Sequence, residues 1–255
     1  MGSPLLNIRA LYYLTLALAA VPAVGSENTL MPEVDVELKL ILNYSEAAER
    51  LKILDKRASF RTGGAGIMLS LQTQQFGTVF TSYGAGYSPN EDASFVSANI
   101  SGPATSTFFS YGYQYLYPVT TNFTLGFQAD HTRYIIEGDF KGDRKGVPVE
   151  AKVTSKIKQT DLGLSLHYQL LKELRVEIGI GTSRWQIDAL AEGSLNKSIK
   201  ASTKASAKDK DPFLLLGLSF NMNEFPVQLR YKRGQLSATN TVNLHALDLN
   251  ISLPF

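Results

Sequence analysis

Apolar and polar residues alternate along most of the chain after residue 33, and this alternation predicts β-strands. The final segment shows it most clearly. Every second residue of this segment is apolar, namely Leu247, Leu249, Ile251, Leu253 and Phe255. Successive side chains of a strand point to opposite faces, so this segment has one apolar face and one largely polar face. A soluble protein seldom ends on such a strand, because an exposed apolar edge invites aggregation.

Nine further segments share this period, which brings the favoured number of strands to ten. They are 33–44, 63–73, 76–87, 109–117, 123–130, 161–170, 174–180, 214–220 and 225–232. The stretch 45–58 has a residue pattern typical of a helix, and this leaves a second strand number open. If 33–58 were a separate amino-terminal element and 63–87 one long strand, the strand number would be eight.

The connections between these segments alternate in length. Short links lie near 74–75, 118–121, 171–173 and 221–224, whereas long polar links cover 45–62, 88–105, 138–156 and 189–210, with a shorter one near 235–240. Short turns at one end and longer loops at the other are typical of transmembrane barrels. We therefore predict an all-β fold, a closed antiparallel up-and-down transmembrane β-barrel. A secreted soluble barrel would show the same alternation with its apolar face inside.

The first 25 residues have the features of a secretory signal peptide. Arg9 precedes an apolar run at 10–21, and small residues follow at 23–25. The apolar run is shorter than the roughly 20 residues that a membrane-spanning helix needs. We expect a signal peptide at 1–25 and one transmembrane β-barrel at 26–255, with an uncleaved anchor as the alternative.

Composition excludes several classes of function. Removal of residues 1–25 lowers the basic residues from 25 to 24 against 23 acidic ones, and this near-neutral balance argues against a nucleic-acid binder. The chain has no cysteine, and its three histidines are not at metal-ligand spacing. We expect no metal site and no cofactor.

The carboxy-terminal strand that ends in Phe255 resembles the last strand of bacterial outer-membrane β-barrel proteins. In that class the final Phe is part of the signal for membrane insertion. The resemblance covers nearly the whole mature chain and rests on pattern, without a family-specific motif. It implies the outer membrane of a Gram-negative bacterium as location. It also implies outer-membrane lipid, lipopolysaccharide, periplasmic chaperones and the barrel-assembly machinery as partners.

If the apolar faces meet lipid, charged side chains of both signs enter the lumen. The principal set is Asp130, Asp161, Arg175, Glu177, Arg230, Lys232 and Asp248, accompanied by Asp35, Glu37, Lys39 and His167. Side chains nearly fill the interior of a barrel of this size, and buried charges must be paired. We expect a salt-bridged plug, and the alternative is a narrow polar pathway.

Two arrangements could suggest a membrane-embedded hydrolase of lipid or peptide. Asp130 and His131 are adjacent and should point to opposite faces. Ser165 and His167 share a face, but their positions lie about 7 Å apart along a strand, which we expect to exceed hydrogen-bond reach. Omptin proteases have ten strands and an Asp/His site at the outer rim, but their motif finds no match here. A non-enzymatic structural, surface-interaction or porin-like narrow transport protein is therefore favoured.

The link at 189–210 is rich in lysine. It carries Lys197, Lys200, Lys204 and Lys208, followed by Lys210. We predict a solvated, mobile surface loop. The functional alternative is contact with phosphates of lipopolysaccharide or with an acidic surface partner, assisted by Lys141, Arg144 and Lys145.

Overall fold

A computed structural model describes residues 34–51, 56–73, 75–95, 98–196, 198–222, 225–236 and 242–253. The segment predicted as a signal peptide lies outside them. The described residues form ten strands: Val34–Leu51 (β1), Lys56–Thr73 (β2), Gly77–Phe95 (β3), Ala98–Pro118 (β4), Phe123–Arg144 (β5), Val147–Leu171 (β6), Leu174–Leu195 (β7), Ile199–Met222 (β8), Phe225–Leu236 (β9) and Val242–Leu253 (β10). Within the same residues, no helix is long and apolar enough to cross a membrane.

The strands close into one antiparallel ring. Each strand pairs with its neighbours in the chain, and β1 pairs with β10 to complete the barrel. The predicted closed up-and-down barrel is confirmed. The eight-strand alternative is wrong, because β1 continues as a strand to Leu51 and a turn at 75–76 separates β2 from β3.

The register gives the stagger of the barrel. Pairing partners followed once around the ring from His167 return to β6 at Ser155. The shear is therefore 12 residues (167 − 155). A staggered register requires strands that tilt by about 35–45° to the barrel axis.

The apolar parity faces outward. Leu164 is 63% exposed and Ile180 is 65% exposed, whereas Glu177 on the opposite parity is 2% exposed. A soluble barrel would reverse these values, because its core would be apolar and its surface charged. The soluble alternative is therefore wrong, and the barrel presents its apolar face to lipid.

The apolar belt has the height of a membrane core. On β6 it extends from Leu162 to Leu170, about 27 Å along the strand. At a tilt of about 40° this corresponds to about 21 Å of height, close to the roughly 25 Å band of outer-membrane barrels. β6 has 25 residues in total, so its other half extends beyond the belt.

The predicted long links at 45–62, 88–105, 138–156 and 189–210 are wrong, because strands cover most of each range and pair as β-hairpins. β5 and β6 are joined by Lys145 and Gly146 alone, with φ of 53° and 82°. Two residues of positive φ are typical of a type I′ hairpin turn. The Gly146 amide also donates a hydrogen bond of 2.7 Å to Asp143 Oδ1. Both faces of these strands carry polar residues, so apolar and polar positions do not alternate there and the pattern did not predict strands.

The projecting hairpins have an apolar core of their own. Its buried members are Ala98, Ile100, Ala104, Ile136, Phe140, Val149 and Ala151. They lie on the inward parity of β4, β5 and β6. Burial of apolar surface stabilises this end of the barrel, so the projection is a packed sheet.

Candidate functional site

Glu177 and Arg230 form the centre of the lumen. Glu177 on β7, Gly217 on β8 and Arg230 on β9 are successive register partners, so both charged side chains extend over the glycine. Arg230 Nε donates to Glu177 Oε2 at 2.8 Å, and Arg230 Nη2 donates to Oε1 at 2.6 Å. This bidentate geometry compensates the charge of a carboxylate that is almost fully buried.

Gly217 makes room for this pair. A Cβ at residue 217 would lie 2.7 Å from Glu177 Oε2 and 3.0 Å from Glu177 Cβ. Any larger residue would therefore collide with the carboxylate. The glycine leaves the space through which the guanidinium reaches Glu177.

Arg230 also crosses the barrel. Its Nη1 donates a hydrogen bond of 3.0 Å to Gln128 Oε1 on β5, four strands away around the ring. Gln128 Nε2 in turn donates to Asp130 Oδ1 at 2.9 Å. A chain of hydrogen bonds thus extends from β7 through β9 to β5 and crosses the lumen.

A second ion pair lies two residues further along β9. Lys232 pairs with Asp161 on β6, and its Nζ lies 4.3 Å from the ring centroid of Phe213. Gln159 Nε2 donates to both oxygens of Asp161 at 3.1 and 3.0 Å. Asp130 is the direct register partner of Asp161, so Lys232 lies next to two facing carboxylates. Like charges in such positions destabilise a sheet unless a cation compensates them.

The remaining charges predicted for the lumen lie at different heights along the barrel. Asp248 is the register partner of Arg230, and Arg175 Nε donates to Gln169 Oε1 at 3.2 Å. Lys39 Nζ lies 2.8 Å from Glu37 Oε2 on β1. Asp35 is exposed near the start of the same strand.

The expectation that Ser165 and His167 lie too far apart for a hydrogen bond is wrong. Ser165 Oγ and His167 Nε2 form a hydrogen bond of 2.9 Å, because the imidazole leans along the strand towards the serine. Glu177 Oε1 approaches the same nitrogen at 3.8 Å. In a catalytic triad the serine and the acid contact different imidazole nitrogens, and here they share one. Glu177 is moreover engaged by Arg230.

Asp130 and His131 do lie on opposite faces. Asp130 belongs to the lumen network, whereas His131 contacts Tyr111 on the outer wall, with ring centroids 5.4 Å apart and an interplanar angle of 43°. His131 Nδ1 forms a hydrogen bond of 2.8 Å with Thr160 Oγ1. Among the described residues, no group of three or more His, Asp or Glu side chains could hold a metal ion.

Sequence reasoning missed one buried polar pair. Trp185 Nε1 donates a hydrogen bond of 2.9 Å to Asp211 Oδ2, and both residues are buried. Both lie in hairpin segments where the alternation is weak. The one available signal was the only tryptophan of the chain among polar neighbours, because a buried indole needs a hydrogen-bond acceptor.

The predicted basic patch lies on a strand. Lys200, Lys204 and Lys208 share the outward face of β8 and are exposed, while Lys197 lies outside the described residues. The insertion residues Leu247, Leu249, Ile251 and Leu253 follow the outward parity of β10 and pair with β1. Phe255 lies outside the part of the chain that the structure describes.

Neither a protein-family model nor a curated protein matches this chain. Among solved structures, the outer membrane protease OmpT from Escherichia coli superimposes with a TM-score of 0.53 at 8% identity, covering 89% of this chain and 98% of that chain. The translocator domain of the autotransporter NalP from Neisseria meningitidis gives a TM-score of 0.50 at 12% identity, covering 97% and 96%. At these identities the likeness shows the fold alone.

Two observations therefore agree. The outer wall carries an apolar belt of membrane height, and the closed ring superimposes on barrels from the outer membrane. This chain therefore has the closed, lipid-facing β-barrel fold of small outer-membrane proteins of Gram-negative bacteria.

Proposed function

We propose that this protein is a plugged, non-enzymatic outer-membrane barrel that acts at the cell surface through its projecting hairpins. The contact between Arg230 and Gln128 is the observation that carries the proposal, because it joins strands on opposite sides of the lumen. With the Lys232–Asp161 pair on the same network, polar side chains cross the interior. A barrel of this size has little interior space left once such side chains meet.

Planar-bilayer recording tests the plug. The refolded wild-type protein should give no steady unitary currents. A double variant, Arg230→Ala with Lys232→Ala, should produce measurable conductance, since it removes the side chains that cross the lumen. Arg233→Ala is the matched control, because Arg233 lies exposed on the same strand. Steady wild-type currents would refute the plug, as would a silent double variant that is correctly folded.

Two observations support the non-enzymatic assignment. Ser165 and Glu177 approach the same imidazole nitrogen of His167, and His167 is buried. His167 is 4% exposed, so a lipid or peptide substrate has no open approach to it. Purified protein incubated with phospholipid vesicles should release no fatty acid above the level of Ser165→Ala. Release that depends on Ser165 would replace this proposal with the hydrolase alternative.

The face used at the surface is the polar outer side of β4–β8 above the belt. These strands contain 21 to 25 residues, about twice the roughly 10 that a bilayer requires. The surplus length forms a packed projection with exposed polar residues on its outer face. Contact with outer-membrane lipid and with surface partners belongs to this part of the barrel in our proposal.

A further inference from the structure

Cations are aligned across four neighbouring strands on the outer wall. One register row contains Arg133, Lys158, Gln186 and Lys208, and the adjacent row contains His131, Thr160, Arg184 and Lys210. All five arginine and lysine side chains in these rows are exposed, and neither row contains an acid. Four adjacent strands span about 14 Å, so five positive charges share a small patch, here called the basic rows.

The basic rows lie directly above the apolar belt. The next row towards the membrane contains Ala129, Leu162, Thr182 and Pro212, and the row below it contains Phe127, Leu164, Ile180 and Leu214. Leu162 is 50% exposed and Leu164 is 63% exposed. A molecule bound here would meet positive charge above and apolar surface below. This combination fits an anionic amphiphile better than a free ion.

No carboxylate among the described residues forms an ion pair with the five cations. Asp188 lies in the row above, where it accepts hydrogen bonds from Gln186 Nε2 at 2.9 Å and Ser206 Oγ at 2.7 Å. Arg133 faces Lys158 directly, and like charges in directly opposite positions destabilise a sheet. An external anion would relieve this repulsion.

The described outer wall of β3 and β4 lacks this charge. At comparable height, the outward residues of β3 and β4 include Tyr83, Tyr87, Thr105 and Thr107, all uncharged. A diffuse attraction to anionic membrane would need no such asymmetry. The outer wall of β5–β8 therefore differs in charge from the described outer wall of β3 and β4.

We propose that the basic rows bind the phosphate groups of a phosphorylated glycolipid in the outer leaflet, with its acyl chains along the leucines beneath. The inference goes beyond the plugged barrel, since it involves no lumen residue. Phosphate groups accept charge-assisted hydrogen bonds from arginine and lysine, and an arginine can do so bidentately. The glycolipid also supplies the apolar part that the belt requires.

The test compares two charge-matched triple variants. Arg133→Gln, Lys158→Gln and Lys208→Gln remove one basic row. Lys152→Gln, Lys200→Gln and Lys204→Gln remove three exposed lysines higher on β6 and β8, and form the control. Binding of purified lipopolysaccharide to the refolded barrel in detergent is measured by native mass spectrometry.

The first triple should weaken binding about tenfold or more, since it removes three charge-assisted contacts to phosphate. The control should bind like wild type. Enzymatically dephosphorylated lipopolysaccharide should bind wild type as weakly as the intact lipid binds the first triple. Inorganic phosphate at the same concentration should not displace the lipid.

Several outcomes would overturn the proposal. The first triple could bind lipopolysaccharide as tightly as wild type, or the control triple could lose as much affinity as the first triple. The dephosphorylated lipid could bind wild type as tightly as the intact lipid, or inorganic phosphate could displace the lipid. Heat-modifiable gel mobility verifies that each variant is folded. If the first triple does not fold, the double variant Lys208→Gln with Lys210→Gln on β8 is held to the same criteria. A conducting wild-type barrel would refute the plug and leave this binding test unaffected.

Discussion

Replacement of Arg230 by methionine should destabilise the barrel by about 3–5 kcal/mol, the usual cost of removing one partner from a buried ion pair. The guanidinium donates two hydrogen bonds to Glu177 and one to Gln128. Glu177 is 2% exposed, so water cannot replace the lost partner. His167 Nε2, at 3.8 Å from Glu177 Oε1, is too distant to replace the lost hydrogen bonds.

Removal of both charges should cost less than removal of one. The double variant Glu177→Gln with Arg230→Met leaves no unpaired carboxylate at residue 177. We expect it to be more stable than Arg230→Met alone by at least about 1 kcal/mol, within the usual range for coupled neighbours. This comparison separates the penalty of an unpaired charge from the loss of side-chain packing.

Urea titration of the refolded protein in lipid vesicles measures these differences, followed by tryptophan fluorescence and by heat-modifiable gel mobility. Arg233→Met is the matched control, because Arg233 lies exposed on the outer face of the same strand. It should change the free energy of unfolding by less than about 0.5 kcal/mol. The reasoning fails if Arg230→Met lies within about 1 kcal/mol of wild type, or if the control is equally damaging.

Three further predictions concern packing, a buried hydrogen bond and assembly. Gly217→Ala should lower the free energy of unfolding by about 1–3 kcal/mol in the same titration, because the added Cβ meets the buried carboxylate of Glu177. A Cβ at residue 63 would have no atom within 4 Å, so Gly63→Ala should be close to neutral. Equal effects of the two substitutions would refute the steric argument. Asp211→Ala should cost about 1.5–3 kcal/mol and red-shift the emission of Trp185, and an unchanged spectrum would contradict the hydrogen bond. Deletion of Phe255 should slow insertion by the barrel-assembly machinery in a reconstituted assay, and wild-type kinetics would remove the basis for a terminal signal.

The membrane-embedded half of the fold was accessible from sequence. Between Leu162 and Leu170 every second residue is apolar, and lipid on one side of the wall imposes that period. The same period gave the parity of Glu177 and Arg230, and hence their common face. It did not give their pairing, because the register across β8 decides which side chains meet.

The projecting half was mispredicted for a physical reason. Above the belt the outer face meets water, so lysines replace leucines and the contrast between the two faces of β8 disappears. Lys200–Lys208 therefore had the composition of a loop. The turn at Lys145 and Gly146 was equally hidden within a polar stretch.

The sequence by itself determined the strand period, the closed barrel class and the set of charges that share the lumen face, because alternation follows directly from strand geometry. Tertiary structure alone decided that the apolar face points outward. It also decided that Arg230 reaches Gln128 across the lumen, and that cations on β5–β8 align above the belt. These features depend on ring closure with a shear of 12, which brings together residues far apart in the chain.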